Sequence, residues 1–312
     1  MKYKIIGYES MYDREIEFLE KSIVQGKAIQ LEIVKEHFLS RAKPFREFIA
    51  SLAINEQGKV VGTSIGAKTK IKINEKIYDT SVGFDVKVSK EDRNRGVGRL
   101  LTKDGKTQIL KQYGIDKNFV TLKKSNSAVI KLTLAAIKKT FLYEFIYLTI
   151  PVKQKIIIPN ELNHANQLFS VYLFDREEVV NSLFFRTKSG LAYFQTQKLY
   201  KLKIKKIHWL YKLGLRIYSM VFPKKSTFFP VENKAFGFAT LYNYSPQNIR
   251  NINEILERVS AIGIDYLQVC CRKDDFLYPL MKPYAISTYP YYILSDFPLV
   301  ETDSVGIDVR CL

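Results

Sequence analysis

The sequence is poor in the residues that build metal and disulfide sites. Its 312 residues include three cysteines and three histidines. Cys270 and Cys271 are adjacent and Cys311 stands apart, a spacing that fits neither a disulfide framework nor the paired cysteines of a zinc site. The spacing indicates no Ser-His-Asp or Cys-His arrangement either. We therefore expect no metal, no covalent intermediate and a reducing compartment, the cytoplasm.

Long apolar runs and acidic residues are the other two deficits. No run of about 18 apolar residues occurs, and the first ten residues contain no signal-peptide core. The 31 acidic residues are outnumbered by 49 Lys and Arg, which gives a formal net charge of +18. Such a charge attracts CoA, nucleotides, nucleic acid or an anionic membrane, although a solvated lysine-rich surface explains it equally well.

The apolar pattern of the first 150 residues predicts a mixed α/β order. A strand is followed by helices near 13–23 and 30–39, and then by three antiparallel strands up to Val88. After a glycine loop come a helix, a strand, a helix opening at Asn126, and a strand over 141–150. The order β-α-α-β-β-β-loop-α-β-α-β predicts a mostly antiparallel sheet flanked by helices.

The stretch from Phe84 to Leu101 is the most informative part of the chain. Alternating apolar residues end in a polar turn, and a new apolar segment follows Gly96 and Gly98. The glycines permit a positive φ or a close backbone approach, and free N–H groups at a helix start attract anions. The loop therefore suits a pyrophosphate, although a tight strand-to-helix turn is the simpler alternative.

The loop and the element order together resemble the acyl-CoA-binding part of the GCN5-related N-acetyltransferase (GNAT) superfamily. The resemblance implies that Val86, Lys87 and Val88 pair with the pantetheine arm of acetyl-CoA. It further implies that the loop amides hold the CoA pyrophosphate. The residues so assigned are Arg93, Asn94, Arg95, Gly96, Val97, Gly98 and Arg99. Asn126 matches a family residue that contacts CoA, and it also suits a helix N-cap.

The catalytic groups depart from the family pattern. Thr133 stands where many members have a general-acid Tyr, and a threonine hydroxyl has no useful pKa for that task. Tyr143 and Tyr147 are substitutes on the next strand. Asp85 is the candidate general base beside the thioester, and a structural ion pair with a lysine is its alternative role.

The second half has a similar order of elements but no glycine loop. A helix is predicted over 176–184, strands over 191–197, 236–242, 266–271 and 291–295, and helices over 248–261 and 274–281. Pro246 occupies the turn before the helix at 248, so this half is predicted not to bind CoA. We predict two tandem domains, an acyl-CoA-binding GNAT domain at 1–152 and a degenerate GNAT-like domain at 153–312.

The segment 198–225 contains nine Lys or Arg and no acidic residue. It predicts a basic amphipathic helix over about 198–222, suited to an anionic membrane surface or to nucleic acid. Alternatively, the apolar stripe of that helix covers the second domain and its lysines are solvated.

The resemblance implies an acyl-CoA-dependent N-acyltransferase. The simplest form transfers an acetyl group from acetyl-CoA to the amine of a small molecule, for example an amino-sugar nucleotide, by direct attack on the thioester. Two alternatives stay open: an aminoacyl-tRNA-dependent transferase, which the CoA loop argues against, and a non-catalytic basic protein that binds an anionic membrane or nucleic acid.

Overall fold

The computed structural model describes residues 2–26, 28–136, 140–159, 162 and 166–312. Most strands form one mixed, mostly antiparallel sheet of 13 strands flanked by helices, which confirms the predicted fold class. In chain order the strands are β1 Tyr3–Gly7, β2 Ile29–Val34, β3 Phe48–Asn55, β4 Val60–Ile73, β5 Lys76–Val88, β6 Asn118–Lys123, β7 Phe141–Pro151, β8 Phe169–Tyr172, β9 Phe184–Arg186, β10 Ala192–Phe194, β11 Lys201–Ile207, β12 Ala235–Phe236, β13 Phe238–Tyr242, β14 Tyr266–Cys271, β15 Ser287–Ser295 and β16 Val305–Asp308. The α-helices are α1 Asp13–Ser22, α2 Val97–Tyr113, α3 Ser127–Ala136, α4 Trp209–Val221, α5 Pro223–Ser226, α6 Ile252–Ala261 and α7 Leu277–Met281.

The two halves of the chain are interleaved in the large sheet. Its order is β1-β3-β4-β5-β6-β15-β7-β14-β13-β10-β9, so β15 of the second half lies between two strands of the first. β7 pairs antiparallel with β15 along the whole of β15 and also with β14. One buried core contains Phe119 and Phe145 together with Ile255 and Leu267. The boundary near residue 152 stays a prediction, but each half completes the sheet of the other.

The helix predicted over 30–39 is wrong. This segment forms β2 and a 3₁₀ turn at Phe38–Arg41, because β2 pairs with β11 in a separate three-stranded sheet. The apolar residues of so short a segment fit both periods. A partner strand far along the chain decides between them.

The pairing of β2 with β11 also shows that the helix predicted over about 198–222 is only partly correct. Its first part is β11, and only Trp209–Val221 is helical. The helix predicted over 176–184 is also wrong, because 3₁₀ turns at Arg176–Glu178 and Asn181–Leu183 lead into β9. By contrast, β14 has the predicted bounds, and α6 occupies most of its predicted range.

Helices cover the first half of the sheet on both faces, with α1 against Leu52 and Ile65 on one face and α2 on the other. Leu101 and Ile109 of α2 approach β4 at Gly62 and Gly66, where an added Cβ would lie 3.0 Å from Leu101 Cδ1 and 3.5 Å from Ile109 Cγ1. Phe45 stacks on Phe84 of β5, with the ring centroids 5.8 Å apart. This layering places the start of α2 directly beyond the end of β5.

Candidate active site

β5 and β6 separate in the middle of the sheet. These parallel neighbours pair only at Ser81–Asn118 and Val82–Phe119. β5 continues to pair with β4 as far as Val88, and β6 continues to pair with β15. The β5 edge from residue 83 to 88 therefore faces an opening, and its main-chain groups on that side are available to a ligand. The predicted pantetheine strand, residues 86–88, lies on this edge.

The glycine loop lies at the end of that edge. Asn94 and Gly96 adopt left-handed φ values of 62° and 86°, and the chain turns directly into α2. Arg93 Nε donates to the Val88 carbonyl over 3.3 Å, which ties the loop back to β5. Gly98 packs closely under α3, since a Cβ there would lie 3.1 Å from Leu132 Cδ2. The predicted roles of both glycines are therefore compatible with the observed backbone.

The start of α2 presents unbonded N–H groups. Leu100 N–H donates to the Gly96 carbonyl over 3.0 Å, so the N–H groups of residues 97–99 precede the first bond within the helix. The first turn contains no acidic residue, and the side chains of Arg93, Arg95 and Arg99 are exposed around it. This arrangement suits an anion such as a pyrophosphate. The assignment of the loop to CoA stays a prediction.

A β-bulge interrupts the β4–β5 pairing at Asp85, which has a φ of 51°. The Asp85 side chain is buried, and its carboxylate lies 2.8 Å from Lys35 Nζ and 2.9 Å from Arg41 Nη1. Burial alone would raise the pKa of Asp85, but the nearby charges of Arg41 and Lys35 outweigh it and hold the pKa below its usual range. The structural ion pair, the alternative considered above, is present. A carboxylate so stabilised is a weak base, and the catalytic role of Asp85 stays a prediction.

The ion pairs extend to α1. Glu20 lies 2.7 Å from Lys35 Nζ and 2.6 Å from Lys87 Nζ. Burial lowers the pKa of Lys87 in spite of the neighbouring carboxylates. The Lys87 side chain is thus engaged with Glu20, so the part of Lys87 that faces the opening is its main chain.

Aromatic residues form the floor beside the opening. The Arg41 guanidinium lies 5.0 Å from the ring centres of both Phe84 and Tyr200. The rings of Tyr147 and Tyr291 are 4.3 Å apart, and burial raises the pKa of both hydroxyls. These tyrosines therefore stay protonated at neutral pH and present large rings next to the ion-pair cluster.

Thr133 and one of the two candidate acids, Tyr143, form hydrogen bonds within the fold. The Thr133 hydroxyl donates to the Val129 carbonyl over 2.9 Å within α3. The buried Tyr143 hydroxyl lies 2.6 Å from the Leu168 carbonyl oxygen, and burial raises its pKa. Of the two tyrosines considered as substitutes, only Tyr147 belongs to the floor.

Asn126 is the N-cap of α3, as predicted. Its Oδ1 accepts a hydrogen bond from Val129 N–H over 3.3 Å, and its carbonyl accepts one from Ile130 N–H. This bond satisfies one donor at the helix start. The additional contact with CoA stays a prediction.

Four residues of the site were not predicted from the sequence: Lys35, Arg41, Tyr200 and Tyr291. Lys35 and Arg41 are brought to Asp85 by β2 and the following 3₁₀ turn, the segment for which a helix was expected. Tyr291 arrives from the second half on β15. No local pattern signals these residues, because each reaches the site through strand pairing over a long sequence separation.

Comparisons with known proteins agree on the fold. No protein-family model and no curated protein matches the sequence. The structure of Saccharomyces cerevisiae N-myristoyltransferase with bound myristoyl-CoA matches 96% of this chain and 83% of its own, with a TM-score of 0.57 and 10% identity. Two other matches each cover 45% of this chain. They are the Escherichia coli ribosomal-protein-S18-alanine N-acetyltransferase, with 81% of its own chain covered (TM-score 0.34, 14% identity), and a Staphylococcus aureus GNAT-family acetyltransferase, with 85% covered (0.31, 16%). The chain therefore shares the fold of the N-myristoyltransferase structure over nearly its whole length.

Proposed function

We propose that the protein is an acyl-CoA-dependent N-acyltransferase that uses acetyl-CoA and acylates the amine of a small molecule. The observation that carries this proposal is the opening between β5 and β6, which leads directly to the glycine loop and the start of α2. A pantetheine arm would add to the β5 edge as an extended strand and bond to the main chain of residues 86–88. Its pyrophosphate would lie against the N–H groups of residues 97–99.

The chemistry needs only positioning and main-chain donors. A neutral amine would attack the thioester carbonyl, the C–S bond would break, and CoA would leave as the thiolate while the amine loses a proton. N–H groups on the open edge of β5 would stabilise the negative oxygen of the intermediate. Holding both reactants in the opening supplies the rest of the reduction in the activation barrier. The bulge at Asp85, held by Lys35 and Arg41, keeps this edge in place.

The aromatic floor favours a short acyl group. Phe145 stacks on Phe169 with centroids 4.7 Å apart and also contacts the rings of Tyr147 and Tyr291, so large rings crowd this side of β7 and β15. A long-chain acyl-CoA is a second candidate donor, because the match over 96% of this chain is to a protein with bound myristoyl-CoA. The charge of +18 favours an anionic acceptor such as an amino-sugar nucleotide, with a peptide N-terminus as the other candidate.

Calorimetric titration with CoA, acetyl-CoA and myristoyl-CoA at low and high salt tests the donor. We expect saturable acetyl-CoA binding that persists in high salt, because N–H groups in the fold are less screened than surface charges. Arg93→Glu should weaken it, and Lys111→Glu, on the exposed far end of α2, should not. Binding that disappears with salt, or that is equal in both variants, would contradict the proposal.

Release of CoA thiol in the presence of amines tests the reaction. Amino-sugar nucleotides and short peptides should be assayed with each donor under identical conditions. Thiol release that depends on one acceptor class identifies the substrate. Tight acyl-CoA binding without acceptor-dependent release would instead make the protein a binding protein.

A further inference from the structure

α4 carries an apolar stripe that points away from the protein. None of its 13 residues is buried. Six apolar side chains are each 50–80% exposed, and at about 100° per residue they fall within one arc of about 120° and so share one side of the helix. They are Trp209, Leu210, Leu213, Ile217, Met220 and Val221. We call this set the apolar stripe.

The opposite side of α4 is the one that packs on the protein. Tyr218 contacts Phe229 edge-on, with ring centroids 5.6 Å apart, and Leu215 is only partly exposed. Lys212 pairs with Glu232 over 2.6 Å at the side of the helix. The apolar stripe therefore does not cover the second half of the chain, the alternative considered from the sequence. Its exposure is not explained by the packing of the described residues.

Positive charge surrounds the stripe. Lys201, Lys205 and Lys206 are exposed on β11, which leads directly into α4. In the part of the chain that the structure describes, Lys201, Lys203, Lys206 and Arg216 have no carboxylate within ion-pair distance, whereas Lys205 lies 3.8 Å from Glu32. The segment 198–225 contains no acidic residue of its own. The strand that leads into the stripe is thus rich in exposed cations.

We propose that the apolar stripe and the β11 lysines dock the protein on an anionic lipid bilayer. A helix that lies in the interface inserts its apolar side among the acyl chains, while flanking cations contact the headgroups, and tryptophan favours that boundary. A second copy of the chain would bring like charges together, and a nucleic acid would leave the stripe uncovered. No helix in the described ranges is long and apolar enough to cross a membrane, so the contact is peripheral.

The docking surface is connected to the candidate active site along the chain. Tyr200, whose ring packs on Arg41 in the floor, immediately precedes β11, and the apolar stripe follows the other end of that strand. This proposal rests on the stripe and the charges alone, and it does not require the proposed acyl transfer.

Trp209 is the only tryptophan of the chain, so its fluorescence reports on the stripe directly. The purified protein should be mixed with vesicles of phosphatidylcholine alone and with vesicles containing about one third phosphatidylglycerol. We expect a blue shift of the emission and co-sedimentation with the anionic vesicles only, both weakened by salt. No shift and no co-sedimentation with anionic vesicles at low salt would overturn the proposal.

Two pairs of variants separate the apolar and the charged contributions. Leu213→Asp with Ile217→Asp should abolish the blue shift, whereas Ile157→Asp, at an exposed apolar position elsewhere, should not. Lys201→Glu with Lys206→Glu should weaken vesicle binding by about tenfold or more, and Lys111→Glu with Lys273→Glu should have a smaller effect. Thermal melts should be unchanged, because none of these side chains is buried.

Equal losses in the test and control variants would overturn the proposal. So would a blue shift that appears without lipid as the protein concentration rises, together with a dimer in analytical ultracentrifugation. That result would assign the stripe to a second copy of the chain.

Discussion

The two halves of the sheet differ at equivalent positions, where two neighbouring parallel strands lie. In the first half, β5 and β6 pair at two positions and then separate, which leaves an opening. In the second half, the parallel strands β13 and β14 pair at three positions, and the buried ring of Tyr244 follows. The Tyr244 hydroxyl lies 2.5 Å from the Cys270 carbonyl oxygen and 3.2 Å from that of Phe169. The Tyr244 side chain thus fills the position in the second half that corresponds to the opening in the first half.

The turns before α2 and α6 differ in the same way. In the second half, Asn248 Oδ1 accepts from Ser245 N–H over 2.8 Å, and Asn248 Nδ2 donates to the Asn243 carbonyl over 2.8 Å. In the first half, glycines line the turn beside α2, and neither α2 nor α6 is capped by a side chain. The two turns therefore differ in what lines them, the Asn248 side chain in the second half and glycines in the first. This contrast supports the prediction that the second half does not bind CoA.

The largest expected effect concerns the ion-pair cluster, which exists at this place only in the first half. Asp85→Asn would leave Lys35 and Arg41 without their shared carboxylate in a buried site, and we expect a loss of about 3–5 kcal/mol in the free energy of unfolding. Urea unfolding measures it, with Asp79→Asn, an exposed residue of the same strand, as control. Equal losses in both variants would show that the cluster does not stabilise the bulge.

The pH dependence of stability should have opposite signs in the two halves. Burial raises the pKa of Asp275 to about 6 from 3.8, so the folded state holds that proton more tightly and is stabilised as the pH falls from about 6 towards 3.8. The lowered pKa of Asp85 has the opposite effect, since its contribution is present above its unfolded value and is lost in stronger acid.

Asp275→Asn should remove a change of up to about 3 kcal/mol between pH 6 and 4, which urea unfolding at a series of pH values would measure. Asp116→Asn, at an exposed position, is the control. If the free energy of unfolding changes equally with pH in the wild type and in Asp275→Asn, the predicted contribution of Asp275 to the pH dependence is wrong.

The next prediction tests the contrast between the turns before α2 and α6. Gly96→Asp places a carboxylate at the start of α2, where it repels a pyrophosphate, and we expect at least tenfold weaker CoA binding by calorimetry. The melting temperature should fall, because the left-handed φ of 86° strains any residue other than glycine; Gly96→Ala, which has that strain without the charge, separates the two effects. Gln247→Asp adds the same charge to the second turn and should leave CoA binding unchanged. Equal weakening in both variants would place the CoA site elsewhere.

The smallest effect concerns the ring that fills the second half. Tyr244→Phe keeps the ring and removes the hydrogen bond to a buried carbonyl, at a cost of about 1 kcal/mol in unfolding free energy. CoA binding should not change. Tyr78→Phe, in which the ring is partly exposed, should be neutral. A gain of CoA binding in Tyr244→Phe would show that the Tyr244 hydroxyl alone prevents the second half from binding CoA.

Sequence patterns predicted well what depends on neighbouring residues. The strand before the loop, the start of α2, the cap at Asn126 and the strand Tyr266–Cys271 all follow from alternation, glycine placement and capping chemistry. The helix predicted over 30–39 failed because five residues of that segment, Gln30 to Val34, pair with β11. The helix predicted over 198–222 failed in its first part for the same reason, because its apolar residues there alternate along a strand.

The sequence by itself determined the glycine turn, the basic character of the 198–225 segment and the strands and helices on either side of the glycine turn, because these depend on local backbone preferences and charge. Tertiary structure alone decided that β15 completes the first half and that Lys35 and Arg41 meet Asp85. It also decided that the apolar stripe of α4 faces outward. These features depend on which distant strands pair and on which side of a helix packs against the protein. Hydrophobic periodicity gives no information on either.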